Sequence, residues 1–253
     1  MDLQGWVLRD GDAVEAAGRV VAVAGEVWFE PPLAHHPIGY LPGTRPAPKF
    51  SGLGVPAQGA DLSALQDRFG ALEGFATLRG RWYAGVLQVT DQGPPQWPTD
   101  RRSQWEEPPC PAPAGGWPHG GENENLELPG ELVNDPAVAG LLMVRPSATQ
   151  VVLTVVSSDP EGTWATWSPV FPGRLCVLAA RWPRWKVETL TNQAQSRMPQ
   201  FQAYEAGPGT DGGCQPVVTL HVVRVLPTLI AWAADLPDDL LEVHAWLHPR
   251  RLS

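Results

Sequence analysis

Between Gly74 and Asp91 apolar and polar positions alternate, break once at Ala84-Gly85, and alternate again. This is the period-two signature of two strands joined by a tight turn. Ala76, Leu78 and Trp82 fall on the inward side, with Leu87 and Val89 opposite them. Phe75, Thr77, Arg79, Arg81 and Tyr83 fall on the outward side. Upstream, AAGRVVAVAG and EVWFEPPL predict two more strands that turn at Gly25-Glu26. A Pro/Gly-rich stretch from Ile38 to Gly59 reads as a long loop. DLSALQDRF then predicts a short helix, with Asp61 as N-cap and Leu62, Leu65 and Phe69 at helical spacing. Strands, a helix and a closing hairpin follow the element order of an OB-type barrel, whose helix plugs the bottom between the third and fourth strands. Residues 1–90 are therefore expected to form an OB-like β-barrel.

Residues 91–135 have neither period. Pro, Gly, Trp and acidic residues dominate, so the composition reads as a linker. Trp97, Trp105 and Trp117 are costly to leave in water, and the segment is expected to lie extended but docked. Residues 136–253 alternate strand and helix. GLLMVRP and QVVLTVVSS predict a hairpin, its second strand apolar on both faces and therefore central. GRLCVLAA predicts another buried strand. WPRWKVETLTNQAQSRM predicts a helix, with Pro183 at a favoured first position and Val187, Leu190, Ala194 and Met198 as its apolar stripe. The Gly207–Gly213 run reads as a long hairpin loop. QPVVTLHVVRV, PTLIAWAADLP and LLEVHAWL predict strand, short helix and strand. The fold class expected is α+β: an OB-like β-barrel followed by an α/β sandwich with a mixed sheet.

Two stretches of the second half carry a resemblance. From Phe171 to Val177 the chain reads FPGRLCV, and from Trp232 to Val243 it reads WAADLPDDLLEV. In these it resembles uncharacterised two-domain actinobacterial proteins, and more distantly the small α/β repeats of protease pro-domains. The resemblance covers about 110 residues and implies a fold, with no catalytic residue attached.

Composition sharpens this picture in three places. The 28 prolines and 26 glycines favour short strands and many turns. The net charge of -9 is concentrated: residues 91–135 hold two Lys/Arg against nine Asp/Glu, while residues 136–253 hold nine of each. An acidic chain without a basic block disfavours non-specific nucleic-acid binding, which depends on neutralising phosphates. The three cysteines show no CxxC spacing. Cys176, in an apolar run, reads as a buried thiol, and pairing of Cys110 with Cys214 stays open. The N-terminus lacks the basic start and apolar run of a signal peptide, and no window reaches 18 apolar residues. A cytoplasmic, reduced protein with no membrane partner is expected.

Searches for chemistry return little. There is no HExxH or CxxC, and adjacent His35 and His36 diverge on an extended backbone. His119, Glu122 and Glu124 form the densest ligand cluster, which reads as a solvated acidic loop and not as a metal site. There is no GxSxG elbow, no GxxxxGK[ST] and no GxGxxG. Ser157, Ser158 and Asp159 read as turn formers and helix caps. His221 and Arg224 fall on opposite faces of one strand, and His244, Trp246 and His248 share a face. No cofactor, metal site or catalytic residue is expected. The leading expectation is a non-enzymatic protein–protein interaction module, whose partner is another protein. It would bind through Phe75, Arg79, Arg81 and Tyr83 and through Tyr40, Lys49 and Phe50 of the long loop. The alternatives are single-stranded nucleic-acid binding by the barrel, and an enzyme with an interdomain site around His119 and His221.

Overall fold

The computed structural model describes residues 3–32, 51–68, 70–97, 106–121 and 125–250. Its first six strands are β1 (Ala13–Val23), β2 (Glu26–Glu30), β3 (Val55–Gln58), β4 (Gln66–Arg68), β5 (Ala71–Tyr83) and β6 (Val86–Gly93). β1 is long enough to pair with two neighbours, antiparallel to both β2 and β5. β2 continues to β3, β3 runs parallel to β6, and β6 returns antiparallel to β5. Five strands thus close into a ring, and β4 is a short flap on β5. The alternation along β5 sends Ala76, Leu78 and Trp82 into the ring, where they meet Val20, Phe29, Ala57 and Leu87.

The predicted helix over DLSALQDRF is not formed. The Asp61 carboxylate accepts from Ser63 N–H at 2.9 Å, a local turn that competes with a helical start. Residues 66–68 then pair with β5. The segment is too short before Gly70 to repay helix nucleation, so Leu62 and Leu65 pack against the ring core from a turn instead. β3 lies inside what was expected to be loop, because four residues containing Pro56 carry almost no strand signal.

The second half contains α1 (Gly130–Val133), β7 (Val138–Ser147), β8 (Gln150–Ser157), α2 (Pro160–Trp167), β9 (Leu175–Ala179), α3 (Arg184–Ser196) and α4 (Met198–Phe201). β10 (Ala203–Thr210), β11 (Pro216–Arg224), α5 (Pro227–Ala233) and β12 (Leu241–Leu247) complete it. The expected single mixed sheet is two sheets of three strands each, in the orders β7-β8-β9 and β10-β11-β12. Both use one plan: an antiparallel hairpin, a helix, and a third strand parallel to the second. β10 occupies part of the glycine-rich run expected to be a loop; an edge position tolerates its Pro208. The α3 stripe Val187, Leu190 and Ala194 buries against Val218, Leu220 and Val222 of β11.

The two halves share a core. Val223 and Leu247 are buried with the ring's own apolar residues. The Trp246 indole N–H donates to Ala17 O at 2.8 Å, and its ring lies 4.6 Å from that of Phe29. Gly18 permits this approach: a Cβ there would meet Trp246 Cζ2 at 2.6 Å and Glu30 O at 2.5 Å.

Cys176 is not a free thiol; it is disulfide-bonded to Cys110, and Cys214 is the free cysteine. Leu153, Val155, Leu175 and Val177 face Trp167 and Phe171. By alternation, Cys176 and Thr154 face the other side. The disulfide therefore holds residues 106–121 across the sheet face that α2 does not cover. Trp117 O accepts from the Gln150 amide at 2.7 Å, and Gly120 N–H donates to Thr149 O at 2.7 Å, holding the same segment. No helix among the described residues is long and apolar enough to cross a membrane.

Candidate functional site

The outward face of β5 was the first candidate, and its cations are already engaged. Arg79 Nε donates to Glu15 at 2.8 Å, and its Nη1 donates to Asp91 at 2.6 Å. These bonds, that to Asp91 foremost, hold the guanidinium above its ordinary pKa. Arg81 donates to Gly11 O at 2.7 Å. Phe75 packs edge-on against Trp97 at 5.5 Å. Thr77 is buried and accepts from Gln96 N–H. Tyr83 stays partly exposed at the hairpin end. The structure thus brings Arg79 together with two carboxylates, while Arg81 is held by a neutral carbonyl. Tyr40, Lys49 and Phe50 lie outside the described residues, as do His35, His36, Trp105, Glu122 and Glu124.

The residues searched for catalysis fall into structural roles. Ser157 Oγ shares a 2.7 Å hydrogen bond with Thr163 Oγ1, and the Asp159 carboxylate caps α2 by accepting from Gly162 N–H. His119 Nδ1 lies 2.8 Å from Thr149 Oγ1. Among the described residues no three His, Cys, Asp or Glu side chains gather as a metal site would require.

Sheet β10-β11-β12 carries a polar row. His221 and His244 are register partners on β11 and β12, and their rings stack at 4.8 Å. Tyr204 packs 5.8 Å from His221, Glu205 opposes it on β10, and Glu242 lies 3.3 Å from His244 Nε2. Burial, with the neighbouring His244, holds His221 below its ordinary pKa of 6.5, against the opposing pull of Glu205 and Glu242. Burial likewise pushes the Tyr204 phenol up to about 12. The linkage has one sign. As pH falls below 6.5 the unfolded chain protonates before the folded one, so stability is full above that value and declines beneath it. Urea midpoints at about pH 7.5 and 5.5 should therefore differ less in His221→Gln than in the wild type; equal differences would remove His221 as a source of acid sensitivity.

A cleft of about 810 Å3 lies between the two sheets. Residues 138–142 of β7 border it consecutively, as do residues 208–210 of β10. Consecutive residues of a strand present both side-chain parities, so the cleft runs along the strand edges and not along one face. α3 roofs it with Val187, Thr191 and Asn192. One end is closed where Gly140 meets Pro216; a Cβ there would lie 2.7 Å from Pro216 Cγ. At the rim, Arg184 donates to Glu188 at 2.7 Å and to Val133 O at 3.0 Å, so its charge is paired. Trp185 follows it and is 66% exposed, the most exposed large apolar side chain described.

None of these cleft residues stood out in the sequence. The signal was the uncharged run GLLMV, legible as a strand but not as an edge, because edges depend on partners far away in the chain. No protein-family model, curated protein or solved structure matches this chain.

Proposed function

We propose that this chain is a non-enzymatic protein–protein interaction module, of the adaptor, immunity or scaffold kind, whose partner is another protein. The observation that carries this reading is the cleft between two strand edges under α3, with Trp185 standing in solvent on the same helix next to the cleft-lining, ion-paired Arg184. Tryptophan next to an apolar pocket is the residue type that dominates binding energy in protein interfaces. Engagement of the catalytic candidates by caps, turns and a disulfide adds to this reading.

We also read the N-terminal ring as OB-like. Five strands closing on themselves support that reading, although β4 stands where a helix would plug the barrel. A nucleic-acid role for it is weakened by the pairing of Arg79 with Glu15 and Asp91.

The test is an affinity capture from native lysate under non-reducing conditions, with and without nuclease, using three chains. Wild type and Arg79→Ala/Arg81→Ala should retain the same stoichiometric partner after nuclease, and Trp185→Ser should lose it. Capture that disappears with nuclease, or that follows the two arginines instead of Trp185, would overturn this assignment.

A further inference from the structure

Resting on that reading, we infer that the partner enters the cleft as an extended, uncharged peptide segment that adds a strand to the outer edge of β7. Leu153 N–H donates to Arg174 O on the β9 side. Alternation then turns Val152, Thr154 and Val156 toward β7, where they pair with Val144, Leu142 and Gly140. The intervening residues, Leu141 and Met143, point their main-chain N–H and C=O groups away from β8. β7 is an edge strand, and no described strand pairs with it on that side. Next along the same edge, Arg145 O accepts from Glu106 N–H at 2.8 Å, so this edge already takes one main-chain hydrogen bond from another segment of the chain.

Edge strands are ordinarily blunted by proline, charge, bulges or shortness. The other edges of the two sheets follow that rule. β10 has Pro208, which lacks an N–H and whose main chain points into the cleft; β12 bears Glu242 and His244; β9 is only five residues long. β7 carries such devices only at its ends, a register shift before Gly140 and Arg145, Pro146 and a second shift after Val144. From Gly140 to Val144 its register with β8 is unbroken and it carries no charge or proline. That central stretch of β7 also borders the cleft, beneath α3. Because Arg184 and Glu188 neutralise each other at the rim, the cleft has no net charge to attract an acidic or basic segment. Main-chain bonds would supply affinity, and alternate apolar side chains meeting Val187 and the β7 edge would supply selectivity. Only β7 offers donors and acceptors together, so the added strand is held mainly from one side.

The experiment selects binders from a phage-displayed library of random dodecapeptides on the full oxidised chain. Each selected peptide is then resynthesised with N-methyl groups on alternate amides, in both parities. Strand addition predicts peptides with alternating apolar residues, for which at least one parity weakens binding about 100-fold, the loss of two or three main-chain bonds. It also predicts slowed amide exchange at Leu141 and Met143. Tolerance of both parities, protection elsewhere, or a selection yielding no binder would overturn strand addition. If a partner is still captured through Trp185, the interaction reading survives that failure.

Discussion

Arg19→Met should lower the free energy of unfolding by about 3–5 kcal/mol, the usual cost of removing one partner from a buried ion pair. Arg19 Nη1 and Nε bridge Glu30 and Glu73, each at 2.8 Å. Glu30 is 1% exposed and Glu73 is 6% exposed. Both carboxylates flank β1, Glu30 on β2 and Glu73 on β5, on the face that alternation turns away from the ring core. Glu30 keeps the Ser51 N–H, but losing the guanidinium removes the positive charge that both acids face. The measurement is urea unfolding of wild type and variant, followed by circular dichroism. An unchanged midpoint would mean that this triad does not fasten the ring.

The second large effect concerns the disulfide. Closing a loop of 66 residues restricts the unfolded chain by an amount worth about 4 kcal/mol in the chain-entropy treatment, and removing native disulfides costs about 2–5 kcal/mol. Reduction, or Cys110→Ser, should lower the urea midpoint and release residues 106–121 from sheet β7-β8-β9. Cys214→Ser should leave the midpoint unchanged, because that thiol is the free one. Thiol titration of the unreduced protein should find one reactive group after unfolding. Three thiols and no effect of reductant would contradict the pairing. A bond of this kind belongs to chains that meet an oxidising environment or oxidant, which stands against the reduced state expected from the sequence.

What could be read from the sequence follows physical locality. The β5–β6 hairpin was legible because a two-residue turn and strict alternation fix it with neighbours alone. α3 was legible because Val187, Leu190 and Ala194 recur on one face. Segments defined by distant partners were not. β4 carries helical spacing but becomes a strand because β5 offers it an edge. β10 holds glycines and a proline that alone describe a loop, and β11 makes it a strand. The split into two sheets, and the choice of Cys176 over Cys214 as the partner of Cys110, depend on how the linker returns across β9.

The candidate site obeys the same logic. Arg79, Arg81 and Tyr83 were correctly placed on one outward face, but their acidic partners, Glu15 and Asp91, come from neighbouring strands and change what the face can do. The cleft brings residues of β7 against α3 and β10, with β8, α2 and β9 intervening in the sequence. The most informative residues of the β7 edge, Leu141 and Met143, matter through main-chain groups, which every sequence position carries and no composition reveals.

The most direct test is hydrogen exchange, read by mass spectrometry, of the full oxidised chain alone and with the partner that wild type captures. The account predicts slowed exchange in residues 138–144 of β7 and 184–192 of α3, with the β5–β6 hairpin unchanged. Protection confined to that hairpin, with β7 and α3 exchanging as before, would contradict it.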